Sequence, residues 1–230
     1  PRKLRAKLVD LMGYDHMPAK RGSLKVRSLW KREHHSGLGV VEKIVFTAEP
    51  GVDVPAYVCL PRETRLPGTW MICLQGHTTG MHHSIAAERS DETTPMPPAG
   101  DRDFAVQCMR HGLSALCIEQ RGFGVRTEGL ERNPGLVPGP DQNCQLPAMR
   151  AIMLGHTIAA ERLFDVDRGI DYLLPLKDVD ASRIGVMGNS GGGTITIFAA
   201  ALLPRVSFAM PSCSFCTYAD SILSVRHCTD

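Results

Sequence analysis

The sequence predicts an α/β protein in which a mostly parallel sheet is covered by helices on both faces, and three observations carry that prediction. Short apolar strands at Trp70 to Leu74, Leu113 to Ile118 and Ile184 to Met187 alternate with stretches of helical periodicity, the rhythm of crossover units. These strands are apolar at consecutive positions, as strands buried on both faces must be. The 22 Gly and 16 Pro set against 6% aromatics suit many short elements joined by shaped turns rather than a helical bundle.

Composition excludes several classes. With 26 Lys and Arg against 24 Asp and Glu, the net charge is only +2, which provides no broad basic field for nucleic acid. The longest apolar run, Ile197 to Leu203, is far below the ~18 residues of a membrane span. Neither nucleic acid nor membrane is therefore expected as a partner. Eight cysteines in 230 residues fall below the ~8–10% of a disulfide scaffold. Cys59, Cys73 and Cys117 sit in apolar runs where a thiol acts as a small hydrophobe. A reducing, cytoplasmic setting is favoured, although no targeting pattern decides the localisation.

Two units are expected along the chain: an N-terminal helical segment, residues 1–35, and an α/β domain, residues 36–230. The first carries ten Lys or Arg against three acids, and its Leu4, Leu8 and Leu11 before Gly13 predict a short amphipathic helix with charges facing water. Val40 to Phe46 and Val54 to Leu60, separated by Pro50, Gly51 and Asp53, predict an antiparallel hairpin. Asp103 to His111 predicts a helix closed by Gly112. A turn-rich loop, Gly122 to Pro147, precedes a long helix predicted from about Ala148 to Leu174, on whose apolar stripe His156 reads as a packed core-edge residue. Val206 to Met210 predicts one more strand.

The chemistry concentrates at Gly188-Asn189-Ser190-Gly191-Gly192, directly after the strand Ile184 to Met187 and before a helix predicted over Thr194 to Leu203. A Gly-x-Ser-x-Gly in that context predicts a sharp turn that exposes Ser190 as a nucleophile. The start of the following helix offers unpaired N–H groups to a developing oxyanion. A glycine-rich strand-to-helix turn can also cradle phosphate or be only a turn. Against the phosphate reading, no Gly-Lys-Ser/Thr follows and the motif lies late in the chain.

Gln75-Gly76-His77-Thr78-Thr79-Gly80 follows the first buried strand, the place where such an architecture takes a second oxyanion donor. The donors expected are the backbone N–H groups of Gly191 and His77. His77, His82 and His83 have no adjacent carboxylate or helical spacing that completes a zinc site, so no metal and no cofactor is expected. Cys213-x-x-Cys216, without a second such pair, reads as two buried thiols.

The run from Leu154-Gly155 through Arg162, Asp165, Arg168 and Asp171-Tyr172-Leu173, then Asp180-Ala181-Ser182-Arg183-Ile184-Gly185 and the serine turn, resembles the acetyl xylan esterase and cephalosporin deacetylase-like branch of the α/β-hydrolase superfamily. Gln120-Arg121-Gly122-Phe123-Gly124 is similar to that branch's Arg-Gly-Gln segment, with Phe123 where glutamine is usual. Likewise, Gln75-Gly76-His77 stands where the branch usually has His-Gly. The resemblance covers roughly residues 40–215. It implies the α/β-hydrolase fold and a serine carboxylesterase acting on short acyl esters, of small molecules or carbohydrates.

In that fold an acid and then a histidine follow the serine. The 40 residues after Ser190 leave little room for both, and the pair Asp220 and His227, though in order, falls in a stretch that reads as one helix. The sequence therefore predicts a domain lacking its C-terminal strands, with catalytic acid and base beyond Asp230 and an open sheet edge that a completing chain or a second copy would cover. Two other readings stay open: a non-catalytic hydrolase-like binding protein, and a hydrolase of another class such as a serine peptidase.

Overall fold

The computed structural model describes residues 2–19, 21–64, 67–97, 100–127, 144–221 and 223–224. Its strands are β1 (Arg27–Glu33), β2 (Gly39–Glu49), β3 (Val52–Pro61), β4 (Gly68–Leu74), β5 (Ser114–Ile118), β6 (Val179–Asn189) and β7 (Phe208–Ser212). Among the described residues they form one seven-stranded sheet in the order β1-β2-β3-β5-β4-β6-β7. The predicted hairpin is β2 and β3, paired with Phe46 opposite Val54 and turning at Gly51, whose φ of 81° suits glycine. From β5 through β4 and β6 to β7 every pairing is parallel. That parallel half is where the crossover rhythm placed it.

The helices are α1 (Arg2–Met12), α2 (Phe104–Arg110), α3 (Gln145–Met153), α4 (Ile158–Leu173) and α5 (Gly191–Leu202). Because side chains alternate along a strand, β4 sends Ile72 and Leu74 to one face, where they meet Leu163 of α4 and Ile195 of α5. Met71 and Cys73 go to the other face, against Phe104, Ala105 and Cys108 of α2. Both faces of the parallel half are thus covered.

Four expectations need correction. The segment 1–35 is not wholly helical, since β1 lies within it and pairs antiparallel with β2. An edge strand carrying Lys31 and Arg32 lacks the apolar alternation that would announce it, and such charges protect an edge from unwanted pairing. The buried face of α1 is Met12 with Leu8 and Val9 beside it, whereas Leu4 and Leu11 are 75% and 67% exposed. The long helix is two: the chain leaves α3 at Leu154, Gly155 takes φ 84°, and Thr157 caps α4 by accepting the Ala160 N–H. An apolar stripe continues across such a break, so periodicity alone cannot show it. Finally, the last strand starts two residues later than predicted, at Phe208.

Candidate active site

β6 delivers the chain into Ser190, which adopts φ 53° and ψ −119°, and α5 begins at the next residue. A non-glycine residue here is strained and persists only when its surroundings over-determine it. The surroundings do so through close backbone approach. A Cβ on Gly188 would lie 2.4 Å from the Gly192 carbonyl oxygen, and one on Gly192 would lie 2.2 Å from that of Leu74. The Ser190 N–H donates to the Ser212 carbonyl of β7 at 2.9 Å, and its own carbonyl accepts the Thr194 N–H at 2.9 Å, opening the helix.

Ser190, Gly191 and His77 line one cavity of about 240 Å³, whose lining also includes Ile197, Phe198 and Tyr218. The loop after β4 crosses directly over the turn, since a Cβ on Gly76 would stand 3.1 Å from the Ser190 Cβ. Its entry is held by Gln75, whose Nε2 donates to Ser84 Oγ and to the Arg102 carbonyl, each at 2.7 Å. Gln120 Nε2 in turn donates to the Gln75 carbonyl at 2.5 Å. The His77 ring meets Phe123 edge-on at 5.0 Å, and the Arg162 guanidinium lies 4.3 Å over the opposite partner of that contact, the Phe123 ring. Arg162 also donates to the Arg121 carbonyl through Nε at 3.0 Å and Nη2 at 2.8 Å. Phe123 therefore spaces a buried cation from the His77 loop.

Behind this support, Arg121 reaches Asp165 at 2.9 Å, Glu49 at 2.7 Å and Glu161 at 3.3 Å, and Arg126 reaches Asp165 at 2.6 Å. Burial pushes the Asp165 carboxyl up, but the Arg121 and Arg126 guanidiniums outweigh it and hold it below the usual carboxylate range. His156 bonds Glu161 at 2.9 Å and is absent from the cavity wall; it lies in the turn between α3 and α4 rather than on a helical stripe. Burial pulls His82 down to about 4, with the neighbouring His83 adding to the effect. Among the described residues, no three His, Cys, Asp or Glu side chains are grouped to hold a metal ion.

Cys213 and Cys216 are exposed and border the cavity, not buried as the sequence suggested. After β7, Cys213 takes φ 54°, and the residues from Cys213 to Tyr218 line the cavity. Asp220 bonds Thr217 Oγ1 at 2.7 Å and is absent from the cavity wall. His227 lies outside the described residues. No local signal could have revealed Gln75, Gln120, Phe123 and Arg162 as one support, because their contacts join positions some 40 residues apart.

The acetyl xylan esterase (AXE1) family model matches residues 109–229. The chain belongs to the acetyl xylan esterase family. Solved structures share its α/β-hydrolase fold. A Bacteroides fragilis protein assigned as an acetyl xylan esterase superposes with a TM-score of 0.72 at 16% identity, over 90% of this chain and 51% of its own. The acetyl xylan esterase from Paenibacillus sp. R4 gives 0.58 at 18% identity, over 96% and 61%. The glucuronoyl esterase from Solibacter usitatus gives 0.57 at 18%, over 89% and 55%. The family member described here thus spans about half the length of these structures. No curated protein matches it.

Proposed function

We propose that this protein is a serine carboxylesterase that hydrolyses short, acetyl-type esters, including esters of carbohydrates, through an acyl-enzyme on Ser190. The observation that carries the reading is the strained Ser190 backbone at the head of α5, with the hydroxyl-bearing residue facing the same cavity as Gly191 and His77. Ser190 Oγ attacks the ester carbonyl carbon, and the oxyanion accepts the N–H groups of Gly191 and His77. The alcohol leaves with a proton returned by the base, and water then hydrolyses the acyl-serine. Among the described residues the cavity wall carries no carboxylate, and its one histidine, His77, packs edge-on against Phe123. We assign the base and its acid to chain outside the described residues.

Two measurements test the reading. A serine-directed organophosphate should label the peptide containing Ser190, and kcat/KM should be higher for the acetyl than for the octanoyl nitrophenyl ester. Labelling elsewhere would remove the nucleophile, while an octanoyl preference would reject the short-acyl assignment. For the oxyanion donors, a bound phenylboronate should place its oxygen at the Gly191 and His77 amides, each worth roughly 10²–10³ in kcat. Because the donors are backbone groups, His77→Ala should change kcat only slightly, and a boronate oxygen turned away from both amides would discard the pair.

A further inference from the structure

Glu119 follows β5 and is 1% exposed, yet it is not on the cavity wall. Each oxygen of its carboxylate holds a different loop. Oε1 accepts the Met81 N–H at 3.0 Å, at the exit of the loop that carries His77. Oε2 accepts the Val125 N–H at 3.2 Å, in the loop after β5. The two loops touch backbone to backbone beside it, since a Cβ on Gly80 would lie 2.9 Å from the Gly124 Cα, and one on Gly124 would lie 2.0 Å from Oε2.

The loop between the Gln75 anchor and the Met81 anchor is only residues 76–80, and Thr79 Oγ1 ties it internally by donating to the Gly76 carbonyl at 2.7 Å. A segment that short, fixed at both ends, transmits a displacement of Met81 to Gly76 and His77. A displacement of about 1 Å at a reacting centre can cost on the order of 10²-fold in rate.

We propose that Glu119 is a positioning residue for ester hydrolysis: by clamping Met81 and Val125 it sets the His77 N–H above Ser190, and it touches neither substrate nor reacting atoms. The proposal rests on the reading of His77 as an oxyanion donor. It also gives Glu119 a titration to report. Burial pushes its carboxyl up to about 7, against the Met81 and Val125 N–H groups and the charges of Arg126 and Arg89. Tyr57 of β3 also feels its charge, and His82, beside Gly80, is held down to about 4 and stays neutral in this range. Protonation turns one acceptor into a hydroxyl that faces an N–H donor, so the clamp loosens as pH falls through about 7.

Glu119→Gln keeps the shape but sets an NH₂ against one of the two N–H groups. In that variant we expect kcat for nitrophenyl acetate to fall roughly tenfold or more with KM within about threefold, and the Met81 and Val125 amides to exchange hydrogen roughly tenfold faster. In the unsubstituted protein, the amide resonances of Met81 and Val125 should titrate together near pH 7. This second measurement stands even if the variant does not fold. Unchanged kcat in a variant whose two amides exchange faster would overturn the positioning role. Unchanged exchange, or two amides that titrate independently of one another, would overturn the clamp itself. An unsubstituted protein that hydrolysed no ester would instead sink the esterase reading, with the clamp still judged by exchange and titration.

Discussion

Ser190→Ala should lower kcat for nitrophenyl acetate by on the order of 10⁶-fold, as loss of the serine does where nucleophile and base act as a unit. The size follows from what stays behind. The cavity and the proposed Gly191 and His77 donors would remain, so KM should change little while the covalent route disappears. The fold should survive, because alanine has the same Cβ in the same strained backbone and the turn is held by the Ser212 carbonyl and by glycines whose backbones are in contact. Ser190→Gly separates strain from chemistry. It should be equally inactive but more stable, since φ 53° costs about 1–3 kcal/mol for a side-chain-bearing residue and little for glycine. Turnover by Ser190→Ala within tenfold of the unsubstituted protein would place the nucleophile elsewhere.

Asp165→Ala should destabilise the protein by about 3–5 kcal/mol, read as a shift in the denaturant midpoint at constant slope. The carboxylate is fully buried beneath Arg121 and Arg126, which both bond it. Arg121 would keep Glu49 and Glu161, but Arg126 would lose its carboxylate partner. That residual pairing places the expected cost toward the lower end, near 3 kcal/mol. The pH dependence has a definite sign. A carboxyl held below its unfolded value of 3.8 contributes stability above that value and loses it as pH falls through the folded value. The gap between variant and unsubstituted protein should therefore be full at neutral pH and narrow below pH 3.8. A cost under about 1 kcal/mol at pH 7 would mean that water or rearranged partners already satisfy these arginines.

The turn around Ser190 was legible in the sequence because its demands are local. Gly188 and Gly192 must lack side chains for α5 to start against the ends of β6 and β4, and that requirement is written at fixed spacing around Ser190. The hairpin, the parallel strands and α2 were readable for the same reason, since alternation, apolar runs and a stop glycine are properties of neighbouring residues. What only the tertiary structure decided is long-range or lacks a pattern. β1 is a strand because β2 offers it an edge, and its charged residues hide that fact from any periodicity. The break between α3 and α4 depends on Gly155 and the Thr157 cap, which a continuous apolar stripe masks. Whether Cys213 and Cys216 are covered depends on where the chain goes after β7, which no local rule states. The His77 loop shows the division most plainly. Its small and polar residues marked it as a candidate donor, but its place beside Ser190 comes with hydrogen bonds to its two ends from Gln120 and Glu119 of the next crossover unit. Hydrogen bonds and ring contacts between residues about 40 positions apart leave no periodic trace, so they become visible only once the sheet has brought the ends of β4 and β5 side by side.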